Sequence, residues 1–299
     1  MKRVLVIGEH SYIGIEFGQY VKDQKADIAV DYISARNNTW KDADLSQYDT
    51  ILHMAGKAHA DVGNVSDEVK KEYYAINCDL AAEAAKAAKA AGVRQFIYPS
   101  SMIIYGESAP YGKQRVITAD TVATPANFYG DSKWQADKKL QELSAEAIGN
   151  LKIAIVRLPM IYGKGSKGNY PLLAKFARKL PFFPRVDNER SMLYIENLCE
   201  FFRQLIENGD GGIFYPQNAE YTNTSDMVSV IAECAGKNIR ISTLWTPLVW
   251  LAGKMPGKIG KLANKAFGSC VYDQSISNYR DNSYQKYDFK ESIQRTEGR

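Results

Sequence analysis

The residues in this sequence best suited to proton transfer are Tyr129 and Lys133, four apart in Phe128-Tyr129-Gly130-Asp131-Ser132-Lys133-Trp134. The Ala-, Lys- and Glu-bearing stretch that follows predicts a helix to about Ala147, and a spacing of four puts both side chains on one face, a turn apart. An ammonium beside a phenol favours the phenolate, so the pair predicts a tyrosine pKa lowered from about 10 toward working pH, as general acid or base work requires. Tyrosine and lysine also fall four apart by chance on solvated helix faces, so the assignment depends on the rest of the chain. Upstream, Phe96-Ile97-Tyr98-Pro99-Ser100-Ser101 reads as a strand whose C-terminal end carries hydroxyls, the end at which open parallel sheets bind ligands.

A phosphate-binding turn stands at the start of the chain. Val4-Leu5-Val6-Ile7 predicts a buried strand, and Gly8-Glu9-His10-Ser11-Tyr12-Ile13-Gly14 a turn into a helix whose free N–H groups face a dinucleotide pyrophosphate. Gly8 allows the tight turn and Gly14 close packing of helix on strand, while Ser11 occupies the position where a middle glycine is expected. The second strand should end in the residue that reads the adenosine ribose. If it ends at Asp31, an acid faces the 2′-hydroxyl and NAD is implied; if it runs to Ile33, Ser34 and Arg36 form a 2′-phosphate site and NADP is implied. The apolar run through Ile28, Val30, Tyr32 and Ile33 favours the second alignment. Asp44 and Leu45 precede a strand at residues 50–54, and Ala55-Gly56 after it allows close passage of a cofactor.

The elements that position these residues alternate. Short apolar runs near residues 4–7, 28–33, 51–54 and 96–98 are separated by helix-like stretches, among them an alanine-rich one at residues 72–91 capped by Gly92, which is the pattern of a doubly wound α/β fold with a parallel sheet. From Pro159 the rhythm loosens, with a strand near Ile213 to Tyr215 and a helix near Ser225 to Ala235. The reading is a dinucleotide-binding domain over residues 1–160 and a mainly substrate-binding region over 161–299, the stretch near 191–217 returning to the main domain.

These motifs, in their order and spacing, resemble the extended short-chain dehydrogenase/reductase superfamily, in particular its NAD-dependent nucleotide-sugar epimerases and dehydratases. The resemblance rests on the Gly8 turn, His53-Met54-Ala55-Gly56, Asn77, Gly92-Val93-Arg94-Gln95-Phe96-Ile97, the run from Ser100 to Tyr105-Gly106, Tyr129 with Lys133, Arg157 to Gly163, and Arg190 to Leu198. It implies a Rossmann-like fold, NAD or NADP as cofactor, and a homodimer working in polysaccharide biosynthesis on a UDP-linked sugar. It further implies that Ser101 hydrogen-bonds the reacting sugar oxygen, that Tyr129 moves its proton and that Lys133 also binds the nicotinamide ribose. Arg190 would hold the substrate diphosphate, a role the guanidinium fork suits, with Asn169, Lys164 and Lys167 assisting and Arg280 as a second phosphate contact.

Departures from the family pattern narrow the chemistry. Met102 and Ile103 stand where dehydratases of the superfamily carry Asp-Glu, and neither can move a proton, which leaves epimerisation through a transient keto-sugar or reduction of a keto-sugar. Met160 replaces a substrate-binding Asn, and Tyr194 and Asn197 replace the usual His and Asp. A non-catalytic dinucleotide-binding regulator is a third reading, disfavoured by the intact set Ser101, Tyr129 and Lys133.

Composition sets outer bounds. The net charge of +4 is dispersed among 34 acids, which gives no reason to expect a nucleic-acid partner. No stretch approaches the roughly 20 apolar residues of a membrane span, and the N-terminal apolar run is too short for a signal peptide, so a cytoplasmic protein without stable membrane insertion is expected. Cys78, Cys199, Cys234 and Cys270 are widely spaced, and His10, His53 and His59 are the only histidines, so neither a disulfide framework nor a metal site is expected. Residues 246–268 combine Trp250, Leu251, Ile259, Leu262 and Phe267 with Lys254, Lys258, Lys261 and Lys265 and no acid, which suits an anionic membrane surface. Gly253, Pro256, Gly257 and Gly260 break any long helix there, and packing within the substrate region is the preferred reading. The alanine helix suits either the core or a dimer contact.

Overall fold

The structure, a computed structural model, describes residues 1–57, 65–146 and 149–298, with the backbone alone at Asn37, Lys258, Ile259, Lys261 and Leu262; His59 and Ala147 lie outside the described residues. In chain order the strands are β1 (Lys2–Ile7), β2 (Ile28–Ile33), β3 (Thr50–His53), β4 (Gln95–Ser101), β5 (Val116–Ile117), β6 (Lys152–Leu158), β7 (Met160–Tyr162), β8 (Phe182–Pro184), β9 (Met192–Tyr194), β10 (Gly212–Phe214), β11 (Arg240–Ser242) and β12 (Val271–Tyr272). The α-helices are α1 (Tyr12–Asp23), α2 (Asp67–Tyr74), α3 (Leu80–Ala90), α4 (Phe128–Ala145), α5 (Asn169–Lys179), α6 (Ile195–Asn208), α7 (Thr224–Cys234), α8 (Thr246–Lys254), α9 (Lys258–Phe267) and α10 (Phe289–Glu297).

The chain divides into two compact units. The first comprises Met1–Gly106, Val122–Leu158 and Leu198–Pro216. Its core is a six-stranded sheet in the order β10-β6-β4-β3-β1-β2, parallel throughout. This is the Rossmann-like, doubly wound α/β architecture that the alternating pattern predicts. Strand order reverses direction at β1, with β2 on one side and β3 on the other, and the C-terminal ends at such a switch point form the ligand crevice of open sheets. Val4 to Ile7 are almost wholly buried, as the helix-covered strands of a parallel sheet must be.

Local sequence explains the helices. Asn127 caps α4, its side chain accepting from the Gly130 N–H at 2.9 Å, and α4 ends at Ala145. The predicted helix at residues 72–91 is interrupted: α2 and α3 are joined by a π-helical turn at Ala75–Asp79, and Asn77 lies buried inside that turn instead of opening the alanine helix. Such bulges recur at functional sites. Gly92 follows α3 with φ +77°, and Ala81, Ala84, Ala85 and Ala88 are fully buried core.

The second unit comprises Glu107–Thr121, Pro159–Asn197 and Gln217–Arg299. It is held by short parallel pairs, β7 with β9, β8 with β11 and β5 with β12. Tyr162, Asn218 and Ser292 form one buried hydrogen-bonded chain. Asn197 donates to the Asn218 side chain and the Tyr287 carbonyl and accepts from the Tyr287 N–H, so this replacement has a structural role. Among the described residues no helix is long and apolar enough to cross a membrane.

Candidate active site

In the first unit, β1 and β3 end side by side, Ile7 opposite His53, and the chain turns away at Gly8 and Met54. Gly8 has φ +115°, and a Cβ there would lie 2.7 Å from the Ala55 N and 2.9 Å from the Met54 carbonyl carbon. Only glycine satisfies both demands. A Cβ on Gly14 has the 2.9 Å limit of Val6 Cγ1 beneath it, so α1 rests directly on β1. Ser11 at the middle position has φ −68° and caps α1, its Oγ accepting from the Gly14 N–H at 3.3 Å. A serine therefore fits this turn without strain, and its hydroxyl proton remains available to an anion. Tyr12 and Ile13 form the first turn of α1.

β2 runs to Ile33, whose carbonyl accepts from the Gly8 N–H at 2.9 Å. Asp31 is mid-strand and ion-paired with Arg3 at 3.0 Å. Ser34 and Arg36 follow the strand end, the Ser34 hydroxyl accepting from the Arg36 N–H at 3.3 Å. Asp44 caps a 3₁₀ turn by accepting from the Ser46 N–H and hydroxyl, and Leu45 is buried under it.

β4 ends at Ser101, whose Oγ accepts from the Ile103 N–H at 3.3 Å, opening the 3₁₀ turn Met102–Tyr105. α4 lies against that turn, since a Cβ on Gly130 would meet the Ile103 carbonyl at 3.1 Å. Lys133 donates to the Pro99 carbonyl at 3.1 Å, with its Nζ 4.8 Å from the centre of the Tyr98 ring. Its pKa falls to about 8 because enclosure disfavours the ammonium, an effect that Asp137 partly offsets. The Tyr129 ring sits edge-on to Tyr73 at 6.1 Å. Its pKa is pushed up to about 12, first by burial and then by Tyr73. This corrects the predicted lowering: the Lys133 ammonium donates to the Pro99 carbonyl, and withdrawal of the phenol from water sets the direction of the Tyr129 shift.

Three further groups support the pair; Asn77 and His53 stand in the motifs read from the sequence, and Asp137 does not. Asn77 accepts from the Lys57 N–H at 2.8 Å and donates to the Lys57 carbonyl and to Ser132 Oγ, which in turn donates to the Tyr129 carbonyl at 2.8 Å. It ties the loop through Ala55 and Gly56 to α4. A Cβ on Gly56 would lie 3.6 Å from Lys133 Nζ. Asp137, fully buried, accepts from Ser100 Oγ at 2.9 Å and from Arg157 on β6, fixing α4 against the end of β4. Its signal was the spacing Tyr129, Lys133, Asp137, each four after the last on one helix face. His53 is buried and stacked on Phe96, with neither ring nitrogen hydrogen-bonded, and burial with the nearby Lys133 lowers its pKa to about 3.

In the second unit a cavity of about 100 Å³ is bounded by Met160, Asn169, Leu173, Arg190, Thr222 and Phe267, among others. Arg190 donates to the Lys265 carbonyl at 2.5 Å, and burial lowers its pKa. Thr222 Oγ1 is buried there without a hydrogen-bond partner. The structure thus brings Asn169 and Arg190 together, while Arg280, in a turn with φ +49°, is exposed and does not line this cavity. Lys164 and Lys167 do not line it either.

Residues 4–215 match the model of the NAD dependent epimerase/dehydratase family. A UDP-glucose 4-epimerase of Vibrio cholerae is 30% identical over 227 residues, 72% of this chain and 65% of that protein. An N-acetyl-alpha-D-glucosaminyl-diphospho-ditrans,octacis-undecaprenol 4-epimerase of Escherichia coli O157:H7 is 27% identical over 237 residues, 76% of this chain and 66% of that protein. The matched stretch is thus just under two thirds of each relative's length. The fold is shared with a dTDP-4-dehydrorhamnose reductase from Bacillus anthracis str. Ames in complex with NADP, at TM-score 0.69 and 16% identity, covering 99% of this chain and 98% of that one. With a parallel sheet whose switch point carries the Gly8 turn and a family match through most of its length, the chain belongs to the NAD dependent epimerase/dehydratase family, a family of nicotinamide-dependent enzymes.

Proposed function

We propose that this protein is an NAD(P)-dependent nucleotide-sugar epimerase acting at C4 of a UDP-sugar through a transient keto-sugar. The observation that carries this reading is the grouping, within one unit, of Tyr129 and Lys133 on α4 against the end of β4 that bears Ser101. The Gly8 turn, where a Cβ would strike backbone, and the capped N-terminus of α1 fit a dinucleotide pyrophosphate. A bound nicotinamide supplies the hydride acceptor and, when oxidised, a positive charge.

Tyr129 takes the proton of the sugar hydroxyl at its Oη as hydride leaves the carbon, and returns it to the oxygen of the turned-over keto-sugar when hydride comes back to the other face. Ser101 hydrogen-bonds that oxygen. Lys133 keeps a cation beside the reacting groups and bonds the nicotinamide ribose, exchanging its Pro99 partner. Met102 and Ile103 hold no group that could eliminate water, so the keto-sugar is turned over instead of dehydrated. In the second unit, the Arg190 guanidinium and the hydrogen-bond capacity of Thr222 suit a phosphate group. The UDP preference is supported by the V. cholerae relative. We place the work in the cytoplasm, as a homodimer, which light scattering of the purified protein checks.

A second reading, an NADPH-dependent 4-ketoreductase, is favoured by the extension of β2 to Ile33, which puts Ser34 and Arg36 at the adenosine end. Identification of the cofactor released from purified protein separates the two. Tightly held NAD supports epimerisation; loosely held NADPH, with one equivalent consumed per turnover, replaces it by reduction. Tyr129→Phe should cost on the order of a hundredfold or more in kcat with cofactor affinity unchanged, since it removes the proton-transfer group. Turnover within about twofold of wild type would overturn the assignment.

A further inference from the structure

Large apolar side chains are exposed unevenly. Of the sixteen that stand exposed among the described residues, ten lie in two stretches of the second unit, residues 159–186 and 234–272. Neither stretch contains a single aspartate or glutamate, and each carries six lysines and arginines. β8 pairs with β11 in parallel and so joins the two stretches, and the Phe182 ring on β8 stacks on Trp245 at 5.1 Å and 11°. The chain then enters α8 through Pro247.

α8 is apolar nearly all round, a composition that normally signals complete burial. Here only Val249 is buried; Leu248 is 54%, Trp250 48% and Leu251 55% exposed, and Leu244 just before the helix is 84% exposed. The preferred reading of this segment as internal packing is therefore corrected for α8. Lys254, in its last turn, holds its ammonium 3.4 Å from the centre of the Trp250 ring. Of the other basic groups, Arg178 is neutralised by Glu297 and Arg185 by Asp226, acids outside the two stretches.

We propose that this surface, centred on Leu244 to Met255, docks the protein peripherally on an anionic lipid bilayer. A nine-residue helix is too short to span, and Trp and Leu beside lysines are the composition that settles at the headgroup level. The occupant is argued from charge. A two-fold contact between copies would set two stretches of net positive charge against each other, whereas an anionic leaflet complements them. Leu172 and Phe176 belong both to this surface and to the lining of the Arg190 cavity, so the cavity's rim lies on the docking face. The proposal is independent of the reaction catalysed.

The test is flotation of the full chain with vesicles of phosphatidylcholine, alone or with 30% phosphatidylglycerol. The protein should float with anionic vesicles, at least tenfold less with pure phosphatidylcholine or at 0.5 M salt, and inorganic phosphate at millimolar concentration should not release it. Leu244→Ser with Leu251→Ser should reduce binding tenfold or more. Lys254→Glu should reduce it tenfold or more, since it changes the charge by two and each unit near such a surface contributes roughly fivefold. These sites are exposed, so thermal melts should match wild type; if the double variant does not fold, Lys254→Glu alone decides. Equal flotation with both vesicle types, no flotation, or an apolar variant that abolishes self-association while leaving vesicle binding intact overturns the proposal.

Discussion

Arg157 grips Asp137 with two parallel hydrogen bonds, Nε to Oδ2 at 2.9 Å and Nη2 to Oδ1 at 3.0 Å, with both side chains almost wholly buried. The remaining Arg157 nitrogen donates to the Tyr105 and Tyr215 hydroxyls. The pair links α4, β4 and β6 behind Tyr129 and Lys133, so it should govern both stability and geometry. Asp137→Asn is expected to lower unfolding stability by about 3–5 kcal/mol, because it leaves a buried guanidinium without its counter-charge. Replacing both residues by Leu and Met should cost less than the single change. Urea unfolding of the three variants checks this; a single-variant loss under about 1 kcal/mol would refute the pair's role.

The depressed Lys133 pKa makes stability depend on pH. Between about 8 and the ordinary lysine value of 10.5 the folded protein holds fewer protons than the unfolded chain, so stability should rise as pH increases through that window. Below pH 8 the full cost of burying the ammonium is present. Unfolding free energies of the cofactor-free protein at pH 7.5 and 10 should show this rise in wild type and a smaller one in Lys133→Met. A flat difference between the two proteins would contradict it.

His53 acts the same way at lower pH. With its pKa near 3 against an ordinary 6.5, the unfolded chain binds the extra proton across that interval, and stability should fall as pH drops from about 6.5 toward 3. His53→Leu should flatten this limb while leaving unfolding at pH 8 within about 1.5 kcal/mol of wild type, as volume-conserving core changes usually do. If wild type and variant acid-denature in parallel, His53 is not the responsible group.

Gly8 and Ser11 should respond in opposite ways. Gly8→Ala forces a side chain into a φ of +115° and against the Ala55 backbone, and backbone strain of this kind costs on the order of 1–3 kcal/mol before any clash is counted. NAD(P) affinity should fall at least tenfold. Ser11→Gly should cost only a few tenths of a kcal/mol through the weakened cap. Calorimetric titration with both cofactors checks the pair, and equal losses would show that the turn's conformation is not what matters.

The sequence by itself determined the sheet, the glycine turn and the spacing of Tyr129 and Lys133, because these follow from local rules: apolar runs of strand length, a residue type that tolerates a rare dihedral angle, and a helical period of four. It left the end of β2 open between Asp31 and Ile33, and the Ile33 carbonyl bonded to the Gly8 N–H decides that point. It could not place Glu107–Thr121 in the second unit, since that follows from β5 pairing with β12 some 155 positions away. Nor could it give the direction of the Tyr129 pKa. Spacing brought an ammonium within a turn of the phenol, but only tertiary structure decided that the ammonium bonds to Pro99 and that the phenol is withdrawn from water. The exposure of α8 was hidden for the same reason, because an apolar segment reads alike in sequence whether or not the fold provides something to cover it.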